Sequence, residues 1–196
     1  MTTIYFVRHA KPNSFDHSED RVLDVQGLKD RVLVNNFLED IEIDVFFSSP
    51  YQRAIQTILE VATVKDKKIQ LIDEFRERKI TNGWIENFET YSKNQWLDFN
   101  YKFSDGESLK EVQDRNIRAL NDILSNHENQ TICIGTHGTS LSTIINYYHQ
   151  SFGYDDFLEI KSLMPWIVKC EFNQLKIRSI KSYHLFLNEE KEILKI

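Results

Sequence analysis

The sequence has 196 residues, 41% of them hydrophobic, which is enough for one substantial core, and we predict a single domain. Its formal net charge of -6 argues against a broad affinity for nucleic acid or an anionic membrane, because the summed field repels polyanions. The sequence has only two cysteines, so we expect no disulfide framework. The N-terminus does not have the basic region and apolar stretch of a signal peptide, and no apolar stretch reaches the ~18 residues of a membrane span, so we expect a cytoplasmic protein.

Three short apolar runs are each followed at once by polar residues. Residues 4–7 are followed by Arg8 and His9. Residues 45–47 are followed by the polar turn 48–50 and then by Arg53, and residues 132–134 are followed by 135–138. Uninterrupted apolar runs of this length are typical of strands that are buried on both faces.

Helix start signals lie between and after these runs. Asp24 is a predicted N-cap for a helix through Asp40, and Ser49 is a predicted N-cap with Pro50 in the first turn. Ser108 opens a capping box for a helix to about Asn126, and a further helix is expected after Gly138.

This alternation predicts an α/β fold, a three-layer sandwich in which helices flank a mostly parallel central sheet. Ligands of such sheets bind at the carboxyl ends of the strands. We therefore expect Arg8, His9, Arg53 and His137 to converge there, although they are far apart in the sequence.

Residues 84–103 are rich in aromatic side chains, and we predict a small helical insertion near the active site, at about 79–105. Trp84, Phe88 and Tyr91 have helical spacing, as do Trp96, Phe99 and Phe103, which favours packing over a substrate-lining role. Near the C-terminus, residues 166–172 and 175–183 are a predicted hairpin, and the charged residues 188–196 are expected to fray.

The residues at the strand ends have the chemistry that a phosphate site needs. Arg8 and Arg53 supply fixed positive charge, and the adjacent helix N-termini supply free N–H groups. A neutral histidine among such donors can attack phosphorus and form a labile phosphoramidate. These residues therefore predict phosphoryl transfer.

The motifs at 5–10, 48–57, 106–108 and 136–138 resemble, in order, those of the histidine phosphatase superfamily, which includes cofactor-dependent phosphoglycerate mutases. The resemblance extends from about residue 4 to about residue 145. It implies a metal-independent phosphatase that needs no cofactor and hydrolyses a phosphomonoester through a phosphohistidine.

The resemblance also implies roles for single residues. His9 accepts the phosphoryl group, and Arg8, Arg53 and His137 bind its oxygens, with His137 counted among the catalytic residues. Glu77 is the expected proton donor, because residues 75–78 are similar to the family's acid segment. Glu74 is the alternative donor.

Two positions depart from the family pattern. Ala10 stands where glycine is usual after the first histidine, and Phe15 stands where many members have asparagine. We expect Asn13 to replace that asparagine and, with Gly138, to contact the substrate.

Other histidines lack the spacing of zinc ligands, so no metal site is expected. Lys11, Arg78 and Lys79 form either a basic rim for a charged substrate or plain solvated charges.

The expected partner is a small phosphorylated substrate, with no nucleic acid and no membrane. A mutase that returns the phosphoryl group to its substrate and a phosphoprotein or phosphohistidine phosphatase are the alternatives.

Overall fold

The computed structural model describes residues 1–16, 18–83 and 85–196, and within them the chain forms a seven-stranded sheet with helices on both faces. The strands are β1 Thr2–Arg8, β2 Val45–Ser48, β3 Ile69–Leu71, β4 Thr131–Thr136, β5 Trp166–Asn173, β6 Lys176–His184 and β7 Glu189–Lys195. They lie in the order β3-β2-β4-β1-β5-β6-β7. The predicted three-layer α/β architecture is confirmed.

The sheet is mixed, so the prediction of a mostly parallel sheet is only partly confirmed. The pairs among β1, β2, β3 and β4 are parallel, whereas β5, β6 and β7 are added antiparallel, with β5 against β1. The last three strands follow one another through short turns, and such turns can join only antiparallel neighbours. Gln174 adopts a φ of 55° in the predicted β5–β6 hairpin, where a glycine would be more usual.

Residues 188–196 were expected to fray, but most of them form β7. This strand pairs along β6 from Glu189 to Lys195, and an ion pair of 2.6 Å joins Lys181 to Glu190 across the two strands. The ladder of backbone hydrogen bonds supplies the order that the charged composition alone did not indicate.

The helices are α1 Val25–Asp30, α2 Val32–Leu38, α3 Gln52–Val64, α4 Phe88–Leu97, α5 Leu109–Asn126, α6 Gly138–Tyr148 and α7 Tyr154–Ile160. The capping box at Ser108 and the helix that begins at Gly138 are confirmed. Among the described residues, no helix has both the length and the apolar composition needed to cross a membrane.

Two predicted helix starts need comment. Asp24 caps α1 through a bond from the Gly27 N–H, but the helix predicted to reach Asp40 is interrupted at Arg31, where the Val34 N–H bonds only three residues back. Ser49 is not an N-cap, since α3 begins at Gln52 and its N-cap residue is Tyr51, which has extended dihedral angles. The Ser49 hydroxyl is instead engaged by His137.

Two hydrophobic cores flank the sheet because successive side chains of a strand point to opposite faces. Ile4 and Phe6 belong to the core that α5, α6 and α7 cover, whereas Tyr5 and Val7 belong to the core that α2 and α3 cover. The uninterrupted apolar run of β1 thus reflects burial on both faces, as predicted.

The aromatic segment only partly follows its predicted helical spacing. Because α4 ends at Leu97, Phe99 and Phe103 lie beyond the helix, and Trp84 lies outside the described residues. Trp96 packs against Phe157 with ring centroids 5.7 Å apart, and Tyr91 stacks on Phe103 at 4.7 Å. The single domain with an insertion at about 79–105 stays a prediction.

Gly27 lies in α1 against the loop that follows His9. A Cβ at this position would lie 2.1 Å from the Lys11 carbonyl oxygen. We expect Gly27→Ala to lower the free energy of unfolding by about 2 kcal/mol, despite the higher helix propensity of alanine, because the loop backbone must move. Urea unfolding measures the change. Gly83→Ala is the control, since a Cβ there meets no described atom within 4 Å, and equal losses in both variants would contradict the contact.

Candidate active site

The polar turns after β1, β2 and β4 meet at one edge of the sheet. Arg8 pairs with Thr136 and Ser48 pairs with Gly135, so the residues that follow these strands emerge side by side. The rings of His9 and His137 lie with their centroids 5.2 Å apart in an edge-to-face arrangement. The convergence predicted from the strand ends is present.

His9 is buried but not sealed, since 5% of the residue is exposed. Its Nδ1 lies 2.7 Å from the carbonyl oxygen of Ala10, and because a carbonyl can only accept, Nδ1 carries the proton. Burial lowers the pKa of His9 well below its ordinary value, and the charges of Arg53 and Arg8 lower it further. The ring is therefore neutral near pH 7, with a free electron pair on Nε2.

His137 is fully buried at the start of α6. Its Nε2 lies 2.7 Å from the hydroxyl oxygen of Ser49, whereas its Nδ1 has no hydrogen-bond partner among the described residues. Burial is the largest cause that lowers the pKa of His137 well below its ordinary value. The charge of Arg53 and the interaction with His9 lower the pKa further.

Arg8 is anchored by the C-terminal end of α7. Its two terminal nitrogens donate to the carbonyl oxygens of Ile160 at 2.6 Å, Lys161 at 3.1 Å and Leu163 at 3.1 Å. Ile160 ends α7 and Lys161 is its C-cap residue, so their carbonyls lie at the negative pole of the helix, and Leu163 follows two residues later. Burial lowers the pKa of Arg8 to about 10, although the Glu77 carboxylate opposes the shift, so Arg8 stays charged at neutral pH.

Arg53 is fixed in a similar way at the start of α3. Its Nη1 donates to the carbonyl oxygen of Glu19 at 2.6 Å, and its guanidinium carbon lies 4.8 Å from the centroid of the Tyr51 ring. Burial lowers the pKa of Arg53 to about 10, and the charge of Arg21 adds to the effect. Arg53 is therefore also a buried cation at neutral pH.

Several buried nitrogens at this edge have no hydrogen-bond partner among the described residues. They are the Nε atoms of Arg8, Arg21 and Arg53 and Nδ1 of His137. Buried polar atoms without partners are costly, and all three guanidinium nitrogens are donors. The arrangement therefore suits a ligand that brings several acceptor oxygens and negative charge.

Arg21 was not predicted. It is half-buried, and its charge lowers the pKa values of both Arg53 and His9. An isolated arginine in a polar loop has no distinguishing sequence signal, since its approach to the site depends on the path of the loop.

Glu77 and Glu74 were the two candidate proton donors, and the structure brings only Glu77 to the site. The Glu77 carboxylate accepts from the Arg78 N–H at 2.8 Å and from the Thr139 N–H at 3.1 Å. Thr139 lies in the first turn of α6, two residues beyond His137. Glu74 is exposed and borders a separate cavity of about 340 Å³ together with His127.

The two tentative substrate contacts have different surroundings. The side-chain oxygen of Asn13 accepts from the Phe15 N–H at 3.0 Å within its own loop, so its contact with substrate stays a prediction. A Cβ at Gly138 would lie 3.0 Å from Cζ and Nε of Arg8. Glycine therefore allows the Arg8 guanidinium to pack against the first turn of α6.

Of the three basic residues proposed as a rim or as solvated charges, Arg78 is not a solvated charge. It is buried, bonds through Nη1 to Gln95, and faces the rings of Phe88 and Tyr91 at 5.7 and 5.6 Å. Lys11 is half-exposed and pairs with Asp24 at 3.3 Å.

A cavity of about 500 Å³ lies between α7 and the β6–β7 hairpin, away from the histidine pair. It shares Ile160 and Leu163 with the anchor of Arg8 but is not lined by His9, Arg53 or His137. Cavity volume therefore does not identify the candidate site, which is defined by its charges. No cluster of three potential metal ligands occurs among the described residues.

Comparisons with known proteins find one family of similar sequences. The sequence model of the histidine phosphatase superfamily (branch 1) matches residues 4–178. Phosphoserine phosphatase 1 of Hydrogenobacter thermophilus is 30% identical over 152 residues, which cover 70% of this chain and 71% of that protein.

Solved structures show the same fold. Bacillus stearothermophilus YhfR superposes with a TM-score of 0.76 at 21% identity, covering 91% of this chain and 95% of that one. A mutant phosphoserine phosphatase of Entamoeba histolytica in complex with phosphoserine gives 0.74 at 20% identity, covering 92% and 96% of the two chains.

The buried neutral histidines predict a specific pH dependence of stability. Both pKa values lie well below 6.5 in the folded chain, whereas the unfolded chain takes up protons as the pH falls through that value. The unfolded state then binds more protons, so the free energy of unfolding falls below about pH 6.5, by at most about 1.4 kcal/mol per pH unit and histidine.

We expect His137→Asn to remove about half of this pH dependence. Urea unfolding at about pH 5.5 and about pH 7.5 measures it. His149→Asn is the control, because His149 lies outside the site and is only partly buried. An unchanged loss of stability in His137→Asn would contradict the neutral burial of His137.

Proposed function

This chain belongs to the histidine phosphatase superfamily, and from that premise we propose that it hydrolyses a small phosphomonoester with His9 as the nucleophile. The observation that carries this proposal is the group of buried, unpartnered nitrogens on Arg8, Arg53 and His137 beside a neutral His9. A phosphoryl group brings the negative charge and the acceptor oxygens that these atoms lack.

In the first step, Nε2 of His9 attacks phosphorus. The N–P bond forms while the ester P–O bond breaks, and Glu77 in its acid form gives its proton to the departing alcohol oxygen. The hydrogen bond from the His9 Nδ1–H to the Ala10 carbonyl supports Nε2 as the nucleophile. This bond fixes the tautomer and stabilises the ring as the ring becomes positive.

In the second step, water attacks the phosphohistidine. The new O–P bond forms while the N–P bond breaks, and the water proton passes to the Glu77 carboxylate, which restores the acid for the next cycle. Inorganic phosphate leaves, and His9 is neutral again.

The cations and His137 act on the oxygens of the transferring group. Arg8 and Arg53 are anchored through their terminal nitrogens to carbonyls, so their charges are held in place before the substrate binds. The Ser49 hydroxyl accepts the Tyr51 N–H and lies against Nε2 of His137. We assign this hydroxyl as a donor to Nε2, so that the ring proton lies on Nδ1 and is donated to the phosphoryl group.

We propose a small phosphorylated hydroxy or amino acid as the substrate class. Buried Arg78 follows Glu77 directly and has an unpartnered Nε, which suits a carboxylate attached to the carbon skeleton of the phosphate ester. The relatives named as phosphoserine phosphatases support this class. A cytoplasmic location and metal independence are further parts of the proposal.

The central prediction concerns turnover of a panel of phosphorylated metabolites and peptides, phosphoserine among them. We expect release of inorganic phosphate from small carboxylate-bearing esters, unaffected by a chelator, and at least a ~1,000-fold loss of kcat in His9→Ala. Phosphate release measures hydrolysis, and assay of isomerised phosphoglycerate in the same samples measures mutase activity.

His149→Ala is the matched control, because it removes a histidine that lies outside the site. Turnover that survives in His9→Ala but is abolished by chelator would contradict the mechanism. Isomerisation in excess of phosphate release would replace hydrolysis with mutase chemistry, and preference for peptides would overturn the substrate class.

A separate prediction distinguishes the two candidate proton donors, Glu77 and Glu74. Glu77→Gln is expected to lower kcat for an alkyl phosphate by about 100-fold or more, because the amide cannot protonate the leaving alcohol. Glu74→Gln should change kcat by less than about threefold, since the Glu74 side chain lies away from the site. Steady-state kinetics on both variants decide the matter, and the reverse order of effects would transfer the role to Glu74.

A further inference from the structure

The segment that carries Glu77 has little regular secondary structure of its own. It follows β3 through a single 3-10 turn at Asp73–Phe75 and continues as irregular chain past Lys79. A proton donor on such a segment is only as well placed as the contacts that hold its backbone. Three of these contacts come from one buried side chain on α5, that of Arg115.

Arg115 donates to three carbonyl oxygens of the segment. Its Nη1 bonds to the carbonyls of Glu74 and of Arg76, the latter at 2.9 Å, and its Nη2 lies 3.5 Å from the carbonyl of Glu77. The Arg115 side chain is only 6% exposed. The planar fork of the guanidinium thus spans four residues of the chain around the proposed proton donor.

The Glu107 carboxylate binds both Arg115 and the segment that carries Glu77. Its carboxylate accepts from Nε and Nη2 of Arg115 at 2.9 and 3.0 Å, from Nη2 of Arg76 at 2.9 Å, and from the Lys79 N–H at 3.0 Å. Burial alone would raise the pKa of Glu107, but the bonds from Arg115 and from the Lys79 N–H outweigh it and lower the pKa. The carboxylate is therefore charged and holds the guanidinium in one orientation.

The same segment is also tied to the helix that begins beside His137. The Ser140 hydroxyl donates to the Arg76 carbonyl at 2.6 Å, and the Thr139 N–H donates to the Glu77 carboxylate at 3.1 Å. The segment is consequently held between α5 and α6. Arg115 fixes its backbone, and the start of α6 receives its carboxylate.

We propose that Arg115, oriented by Glu107, is a positioning residue that sets Glu77 at the leaving-group oxygen. This inference rests on the proposed function and assigns Arg115 no contact with substrate. Displacement of a catalytic group by about 1 Å can cost about 100-fold in rate, so loss of the fork would weaken proton donation in particular.

The test uses the dependence of the reaction on the leaving group. An alkyl phosphate releases an alkoxide and needs the proton, whereas para-nitrophenyl phosphate releases a stable phenolate and needs it little. The ratio kcat/KM reports events up to the first cleavage of the P–O bond, before water acts. A fault in proton donation therefore lowers kcat/KM for the alkyl ester selectively, whereas a general fault lowers both values.

Arg115→Lys is the test variant, because lysine keeps the charge but cannot donate to three carbonyls and to Glu107 together. We expect kcat/KM for phosphoserine to fall at least about 30-fold and that for para-nitrophenyl phosphate to change less than about threefold. Glu77→Gln provides the benchmark for selective loss. Arg118→Lys, on the exposed face of the same helix, is the control and should leave both values unchanged.

Equal losses on both esters in Arg115→Lys, with selective loss in Glu77→Gln, would overturn the positioning role while leaving the proposed function intact. No turnover of either ester by the native enzyme, or full turnover by His9→Ala, would instead mark failure of the proposed function. If Arg115→Lys does not fold, the near-isosteric Glu107→Gln takes its place. Selective loss there supports the proposal, and equal loss or no loss overturns it.

Discussion

The site depends on the concentration of buried positive charge at one edge of the sheet. Arg8 and Arg53 are nearly excluded from water, and Arg21 approaches them closely enough to lower the pKa of Arg53. Like charges in a medium of low dielectric constant repel one another strongly. Burial, followed by the charges of these arginines, lowers the pKa values of His9 and His137 well below their ordinary range. Both rings therefore stay neutral, which is what a histidine nucleophile requires.

The fold tolerates these cations because it supplies partial negative charge without neutralising them. The end of α7 and the residues just after it present three backbone carbonyls to Arg8, and the loop before Arg21 presents one to Arg53. Carbonyl oxygens fix the orientation of each guanidinium and leave its net charge in place. Glu77 is the carboxylate whose charge reaches both arginines, and its own position depends on Arg115 and on α6.

The sequence was sufficient for features that are local or that follow from strand topology. The apolar runs located β1, β2 and β4, and because parallel strands end at the same edge, the residues after them could be expected to meet. Residues whose position depends on long-range packing were not predictable. Arg115 lies within an ordinary helix, Arg78 is buried despite the polar sequence around it, and the Ser49 hydroxyl lies against His137 instead of capping α3. The antiparallel β7 was missed because its order comes from the ladder with β6 and not from its composition.

The claim on which this account depends is that the phosphoryl group is carried by His9. The most direct measurement is an alkaline quench of the enzyme during turnover of phosphoserine, followed by mass spectrometry of its peptides, since phosphohistidine survives base. The account predicts one phosphoryl group on the peptide that contains His9, located at that residue by fragmentation. Steady turnover with no phosphorylated enzyme, or with the phosphoryl group on any other residue, would contradict it.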